Sequence, residues 1–372
     1  GRGMAGAGGG DGGWGALLGR CEARARAAAE RQRAERAPGA PAAGGGGLPA
    51  TLAVAREAAS GLSVAEMRAR YVDRGLPVVI TGLGSALAGL PEGCDDVWAL
   101  LRGRFGHKTQ MVSRQPGDDE EGGKDNTLGE SELMRVGDLL DLMSRTPAAS
   151  GAPARVYMYD TPLASKLPEI LEHWRVLRYF AHCLLQKTRL PHPYLRSWPT
   201  AFVGSAGTAS TVHVDRWHSH FWMVQVSGAK RWTIWPEEDT PLLRPSWARG
   251  TYDPQFPPFG DLVGDPDVAL TRPAEVVVEA GEVLLVPGGC PHRVQNLEDS
   301  VSFAGNFVDS SNVEAVLADQ LALGRRYPEA LELHAALAEV DWSDEWKGPE
   351  EALPPEQMAV DYFQDFANRA FS

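Results

Sequence analysis

A chain of 372 residues, 43% of them apolar, can bury a sizeable core as one large domain or one domain with appendages. Its formal net charge of −13 argues against a general grip on nucleic acid; simple solubility explains it, with a weak bias toward basic partners. Cys21, Cys94, Cys183 and Cys290 lie scattered without disulfide or metal-site spacing, and the sequence shows no hydrophobic leader core and no membrane-length apolar run, so it predicts free thiols in a reducing compartment, cytoplasmic or nuclear.

Residues 1–47 read as a disordered, low-complexity tail that carries a helix. Residues 1–13 are glycine-rich, Trp14–Arg36 is an Ala/Arg/Glu-rich helix expected to be solvated or loosely ordered, and Pro38–Gly47 is a flexible linker. Residues 48–154 read as elements that pack on a barrel. Thr51–Ser60 resembles a short helix, and Ser63-Val64-Ala65-Glu66 has the spacing of a capping box, which starts a helix running to about Val72. Pro77–Gly82 is a short buried strand, Val97–Phe105 a helix, Thr109–Ser113 a strand and Val136–Met143 a helix, with loops at Asp118–Asp125 and Ala148–Pro153.

Residues 155–310 read as the barrel itself. Val156–Tyr159 is a strand with Tyr157 and Tyr159 on one face; these are two core aromatics, or Tyr157 hydrogen-bonds a bound carboxylate. Pro168–Gln186 reads as one or two helices and Arg196–Gly204 as a strand. Two strand-like runs then meet at Ser227-Gly228 within Thr211–Trp235. His213-Val214-Asp215 opens this stretch, and strand periodicity turns the imidazole and the carboxylate the same way. That pair is two-thirds of the 2-His-1-carboxylate set that holds non-haem Fe(II); alone it could equally be a polar strand end, and His218-x-His220 offers an alternative ligand pair. Lys230 shares its face with Trp232 and Ile234 and so points inward, where an ammonium needs an anion; an inward Trp235 would instead expose it. Arg244–Pro273, rich in proline and aromatics, is either an insert over the barrel mouth that meets substrate or a packing flap. Val283–Val286 is an unbroken apolar run, hence a strand buried on both faces, and His292 alternates with Val294 and Asn296 after it. Residues 311–372 hold helices at Asn312–Leu323, Pro328–Val340 and Met358–Phe371.

The His-x-Asp motif, followed by SGAKRWTIWPEED (Ser227–Asp239), AGEVLLVPGGCPH (Ala280–His292) and QNLEDSVSFAGNF (Gln295–Phe307), resembles the JmjC-domain 2-oxoglutarate oxygenases. The similarity runs from about Pro77 to Val316 and is greatest to the hydroxylase branch, with the jumonji lysyl hydroxylases and the phosphatidylserine-receptor-like protein. It implies a mainly β fold, a double-stranded β-helix (cupin or jelly-roll) barrel with N- and C-terminal helices, and it implies Fe(II) with 2-oxoglutarate as co-substrate. By position it implies metal ligands at His213, Asp215 and His292, with Lys230 on the far carboxylate of 2-oxoglutarate and Ser210, Tyr157 and Asn306 at further co-substrate positions. It also implies C-terminal helices that make a homodimer or cover the barrel. Two positions depart from the pattern: Cys290-Pro291 stand where aromatic or histidine residues are usual, and Met223 stands near a position that is often Asn. The expected activity is hydroxylation of a protein side chain, lysyl or similar. The alternatives are an N-methyl demethylase and a catalytically inactive cupin-type binding module; a cupin isomerase would have no use for an inward Lys230.

Overall fold

The computed structural model describes residues 11–36, 52–83, 96–115, 131–144, 155–171, 176–181, 183–188, 199–247, 252–342 and 359–360. Helix α1 (Asp11–Arg36) is followed by two short strands, β1 (Leu52–Ala53) and β2 (Ala55–Ala58). The expected helix over Thr51–Ser60 is therefore corrected: β1 pairs in parallel with residues 274–275 and β2 in parallel with residues 78–81, and this pairing overrides the helical propensity of an Ala/Glu/Arg run. Helix α2 (Val64–Met67) begins at the expected capping box. Ser63 Oγ accepts from the Glu66 N–H at 3.1 Å, and Glu66 Oε2 accepts from the Ser63 N–H at 2.9 Å. A π-helical turn carries it to Val72. Next come β3 (Val78–Thr81), α3 (Val97–Leu100, continued to Phe105), β4 (Thr109–Arg114), β5 (Ser131–Arg135), α4 (Val136–Ser144) and β6 (Val156–Pro162).

Short helices α5 (Leu163–Lys166) and α6 (Pro168–Leu171) precede β7 (Val176–Leu177) and α7 (Leu184–Lys187). One or two continuous helices over 168–186 are thus not formed. Val176, Leu177, Tyr179, Phe180, Cys183 and Leu184 are all buried, and a run buried on every side gives no helical stripe to follow. The barrel strands follow: β8 (Thr200–Gly204), β9 (His220–Ser227), β10 (Lys230–Ile234), then α8 (Phe259–Leu262) within the insert, and β11 (Ala274–Val278), β12 (Val283–Val286), β13 (His292–Asn296) and β14 (Ser300–Phe307). Helices α9 (Val313–Leu323) and α10 (Pro328–Ala338) match expectation. Residues 359–360 form β15 on β7, against the expected third helix, the rest of which lies outside the described residues with the two loops, the linker and Cys94.

The strands make a four-stranded sheet, β1-β11-β10-β13, and a nine-stranded sheet, β2-β3-β12-β9-β14-β8-β6-β4-β5, the two layers of a double-stranded β-helix barrel. Strand alternation sorts side chains between two apolar clusters. Val79, Phe221, Met223, Leu284 and Val286 join Trp232, Ile234 and Val294 between the sheets. Their sequence neighbours Val78, Ile80, Trp222, Val283 and Leu285 join the outer cluster with Leu101, Phe105, Leu139 and Val313 from the flanking helices. The unbroken Val283–Val286 run is apolar because both faces are covered; an alanine at Leu284 would cost about 2–5 kcal/mol. A third cluster, Val212, Trp235, Leu243, Leu262 and Val268, with Phe256 and Phe259 packed against it, roots the insert on the barrel.

Helix α1 forms as expected and exposes most of its residues, but it is anchored on the rest of the fold at a few points. Trp14 is 2% exposed and packs on Tyr252 and Tyr327, while Arg33 and Arg36 pair with Asp267 and Asp239 at 2.6 Å each.

Candidate active site

His213 and His292 face each other across an isolated antiparallel bridge. Each backbone N–H donates to the other residue's carbonyl, at 3.0 and 2.8 Å, and the rings lie 4.3 Å apart. Each ring also donates Nδ1–H to the carbonyl two residues earlier, His213 to Thr211 at 2.8 Å and His292 to Cys290 at 3.0 Å. These bonds fix the tautomer and leave both Nε2 atoms with free lone pairs. Asp215 does not continue a strand. It caps the 3-10 turn Arg216–His218 in extended backbone (φ −70°, ψ 148°), two residues after the bridged His213. The three side chains offer ligand atoms all within 4.8 Å of one another, and no second group of this kind occurs among the described residues.

The electrostatics fit a cation at that point. Desolvation, helped by Asp160 and Asp253, pushes the Asp215 pKa up to about 7 although Asn306 hydrogen-bonds it, and Oδ2 has no hydrogen-bond partner among the described residues. Burial holds His292 neutral, its pKa pushed down to about 3, and His213 is shifted down for the same reason. Two neutral imidazoles and one carboxylate are a donor set that could hold a divalent metal such as Fe(II) and leave positions open.

His218 and His220 are used otherwise. His218 is held by Glu237 at 2.9 Å and Asp319 at 3.2 Å, while His220 accepts from the Gly288 N–H and meets Ser311 Oγ, each at 2.9 Å. Trp217 and His218 both adopt left-handed backbone (φ 62° and 51°), and Gly288 lies so close to the His218 carbonyl that a Cβ there would clash.

A cavity of about 410 Å³ opens beside the triad, within the size range of small-molecule sites. Tyr157, Ser210 and Asn306 line it, as do Phe202, Asp160, Thr200 and Ser219, which belong to no motif. Ser210 Oγ accepts from the Val294 N–H at 3.0 Å, and Asn306 Nδ2 donates to Ser219 Oγ at 2.9 Å. Asp160 would have been hard to find from sequence, because a β-bulge in β6 and a left-handed backbone (φ 46°) re-aim it. Gly204 lets the Tyr157 ring lie against the strand, where any Cβ would collide with it.

Lys230 is fully buried on the same face as Trp232 and Ile234. It does not itself line the cavity. Its Nζ lies 5.6 and 5.4 Å from the ring centres of Tyr157 and Phe202, which do. The ammonium has no hydrogen-bond partner among the described residues, and burial pulls its pKa down to about 7.

Part of the insert packs on the barrel and part of it walls a cavity. Its aromatics Phe256 and Phe259 pack outside the barrel, while Trp247, Tyr252 and Asp253 wall a second cavity of about 640 Å³ that shares Val214 and Asp215 with the first. Among the described residues no helix is long and apolar enough to cross a membrane.

Residues 64–312 match the cupin-like domain family. The chain is similar to the 2-oxoglutarate and iron-dependent oxygenase JMJD4 of Danio rerio, at 29% identity over 42% of this chain and 40% of that protein. To the protein of the same name from Homo sapiens it is 35% identical over 30% of this chain and 27% of that one. To the arginine-specific demethylase JMJ22 of Arabidopsis thaliana it is 25% identical, over 69% of this chain and 47% of that one. The chain spans less than half the length of these curated relatives.

Proposed function

The chain belongs to the cupin-like domain family, and from that premise we propose that it is an Fe(II)- and 2-oxoglutarate-dependent oxygenase acting on a protein side chain. The observation that carries this reading is the pairing of two chemistries in one place. Two imidazole nitrogens and a carboxylate oxygen converge, and a buried lysine with no anion among the described residues lies behind the adjoining cavity. His213, Asp215 and His292 would hold iron. The iron, with 2-oxoglutarate and O2, supplies oxidation of an unactivated C–H bond while 2-oxoglutarate is converted to succinate and CO2.

The chain's own residues do the rest. Thr211 and Cys290 carbonyls keep both imidazoles in one tautomer and orientation. Asn306 holds Asp215, and Ser219 in turn holds Asn306. Lys230 would meet the distal carboxylate of 2-oxoglutarate, with Ser210 and Tyr157 nearby as hydroxyl partners. Phe202, Phe221, Trp232 and Val294 exclude water from the reacting centre.

Hydroxylation of a lysyl or similar side chain is the finer reading. The second cavity supports it with the carboxylate of Asp253, beside Glu237 and Asp319, which pair with His218. Demethylation is the second reading, favoured by the likeness to a relative named as a demethylase over 69% of this chain; oxidation of an N-methyl C–H would be the same chemistry on another substrate. The test is succinate release from 2-oxoglutarate by the purified chain with Fe(II), compared with Asp215→Ala. Succinate from the wild type and none from the variant is expected; equal release from both would refute the triad.

A further inference from the structure

The oxygenase reading leaves helix α1 without a role, yet α1 supplies one wall of the second cavity. Cys21, Ala28 and Gln32 come from the helix, facing Trp247 and Tyr252 of the insert, and Asp215 belongs to both cavities. The seam between α1 and residues 237–243 is incomplete in hydrogen bonds. Gln32 donates Nε2–H to the Glu238 carbonyl at 2.6 Å, which fixes the orientation of its amide. Its Oε1 is then buried with no partner among the described residues, and so is Thr240 Oγ1, another residue lining this cavity. Buried acceptors of this kind are costly until something donates to them.

The attachment of α1 has the character of a clasp. Trp14, Leu18 and Ala29 are its buried apolar residues; Cys21 meets Tyr252 midway, and Gln32, Arg33 and Arg36 hold its C-terminal end. A helix with so small an apolar face releases far more easily than a barrel strand.

We propose that α1 is a clasped wall of the pocket for the second reactant: docked, it completes a donor-seeking cavity beside Asp215, and released, it opens that side of the triad to water. The inference rests on the oxygenase reading for the identity of the pocket, and assigns to Gln32 and Thr240 the selection of an N–H- or O–H-bearing side chain.

Two full-length variants release the helix by unrelated routes, Trp14→Ala through its apolar anchor and Arg33→Asp/Arg36→Asp through its ion pairs. Three readouts follow each: amide hydrogen exchange, alkylation of Cys21 by iodoacetamide, and water-proton relaxation by Mn(II) bound at the triad. In both variants α1 amides and Cys21 should react at least ~tenfold faster, equivalent to about 1.4 kcal/mol of lost docking. Barrel amides should keep their protection, and Mn(II) relaxivity should rise. The proposal is overturned if α1 stays protected in both variants, if α1 and barrel lose protection together in both, or if α1 is released and relaxivity does not change. Failure of Mn(II) to bind the wild type would sink the triad reading and the pocket assignment with it, while exchange and alkylation would still report whether α1 is a clasp.

Discussion

Replacing Lys230 by methionine keeps the aliphatic bulk and removes the charge. The folded protein holds this ammonium's pKa near 7, against 10.5 for an ordinary lysine, through burial alone. At 1.36 kcal/mol per pH unit, that difference corresponds to a penalty of about 5 kcal/mol in the ligand-free protein. Below pH 7 both folded and unfolded chains carry the proton and the penalty is full. Between 7 and 10.5 only the unfolded chain carries it, so the penalty shrinks as pH rises and is gone above 10.5. Lys230→Met should therefore stabilise the ligand-free protein at pH 7, by up to that amount, with a gain that fades toward pH 10.5. The dicarboxylate co-substrate should suffer the opposite effect. Losing one charge-assisted bond of roughly 1.5–3 kcal/mol raises the KM for 2-oxoglutarate about tenfold to a hundredfold. Steady-state succinate release against 2-oxoglutarate concentration, with Mn(II) titration as the control for the triad, is the assay. An unchanged KM in a folded Lys230→Met protein would refute the anchor and reopen a cupin chemistry that needs no distal carboxylate.

Metal affinity should depend on pH through Asp215, whose pKa is raised to about 7 while His292 stays neutral to about pH 3. Below pH 7 the proton competes with the metal, so Mn(II) affinity measured by titration should fall by about tenfold per pH unit; a flat profile from pH 7 to 5 would exclude Asp215 as a ligand. His213→Ala should abolish Mn(II) binding and leave the thermal transition intact, because apolar clusters hold the barrel; retained binding would refute this ligand. His218→Ala should keep Mn(II) bound, since Glu237 and Asp319 already occupy both ring nitrogens. The raised His218 pKa of about 10 adds stability that is complete below its ordinary 6.5 and is lost as pH rises through 10, so the wild type but not the variant should lose stability across that window in thermal melts. Deleting residues 251–260 should spare uncoupled succinate release and remove turnover of the second reactant; insoluble protein would show that Phe256 and Phe259 matter more as packing.

Much of this protein is legible in its sequence because local chemistry and periodicity carry it. The Ser63–Glu66 capping box, the inward parity of Lys230 with Trp232 and Ile234, and the doubly covered Val283–Val286 strand follow from spacing alone. The spacing also puts His292 on an inner face, where β13 pairs with β10. What spacing could not supply were decisions taken by distant partners. Leu52–Ala58 is strand because β3 and β11 offer unpaired edges, although its residues favour helix. The chain leaves Asp215 through a strained turn whose His218 is gripped by Glu237 and Asp319, 19 and 101 residues away. Asp160 enters the cavity because a bulge adds a residue to β6. Helix α1 shows no apolar stripe in its sequence, and its wall-forming position depends on Tyr252, Asp239 and Asp267, which the fold alone brings to it. A sequence records which side chains can hold a metal or an anion; which of them share one cavity is set by long-range backbone pairing and packing, and these have no local signature.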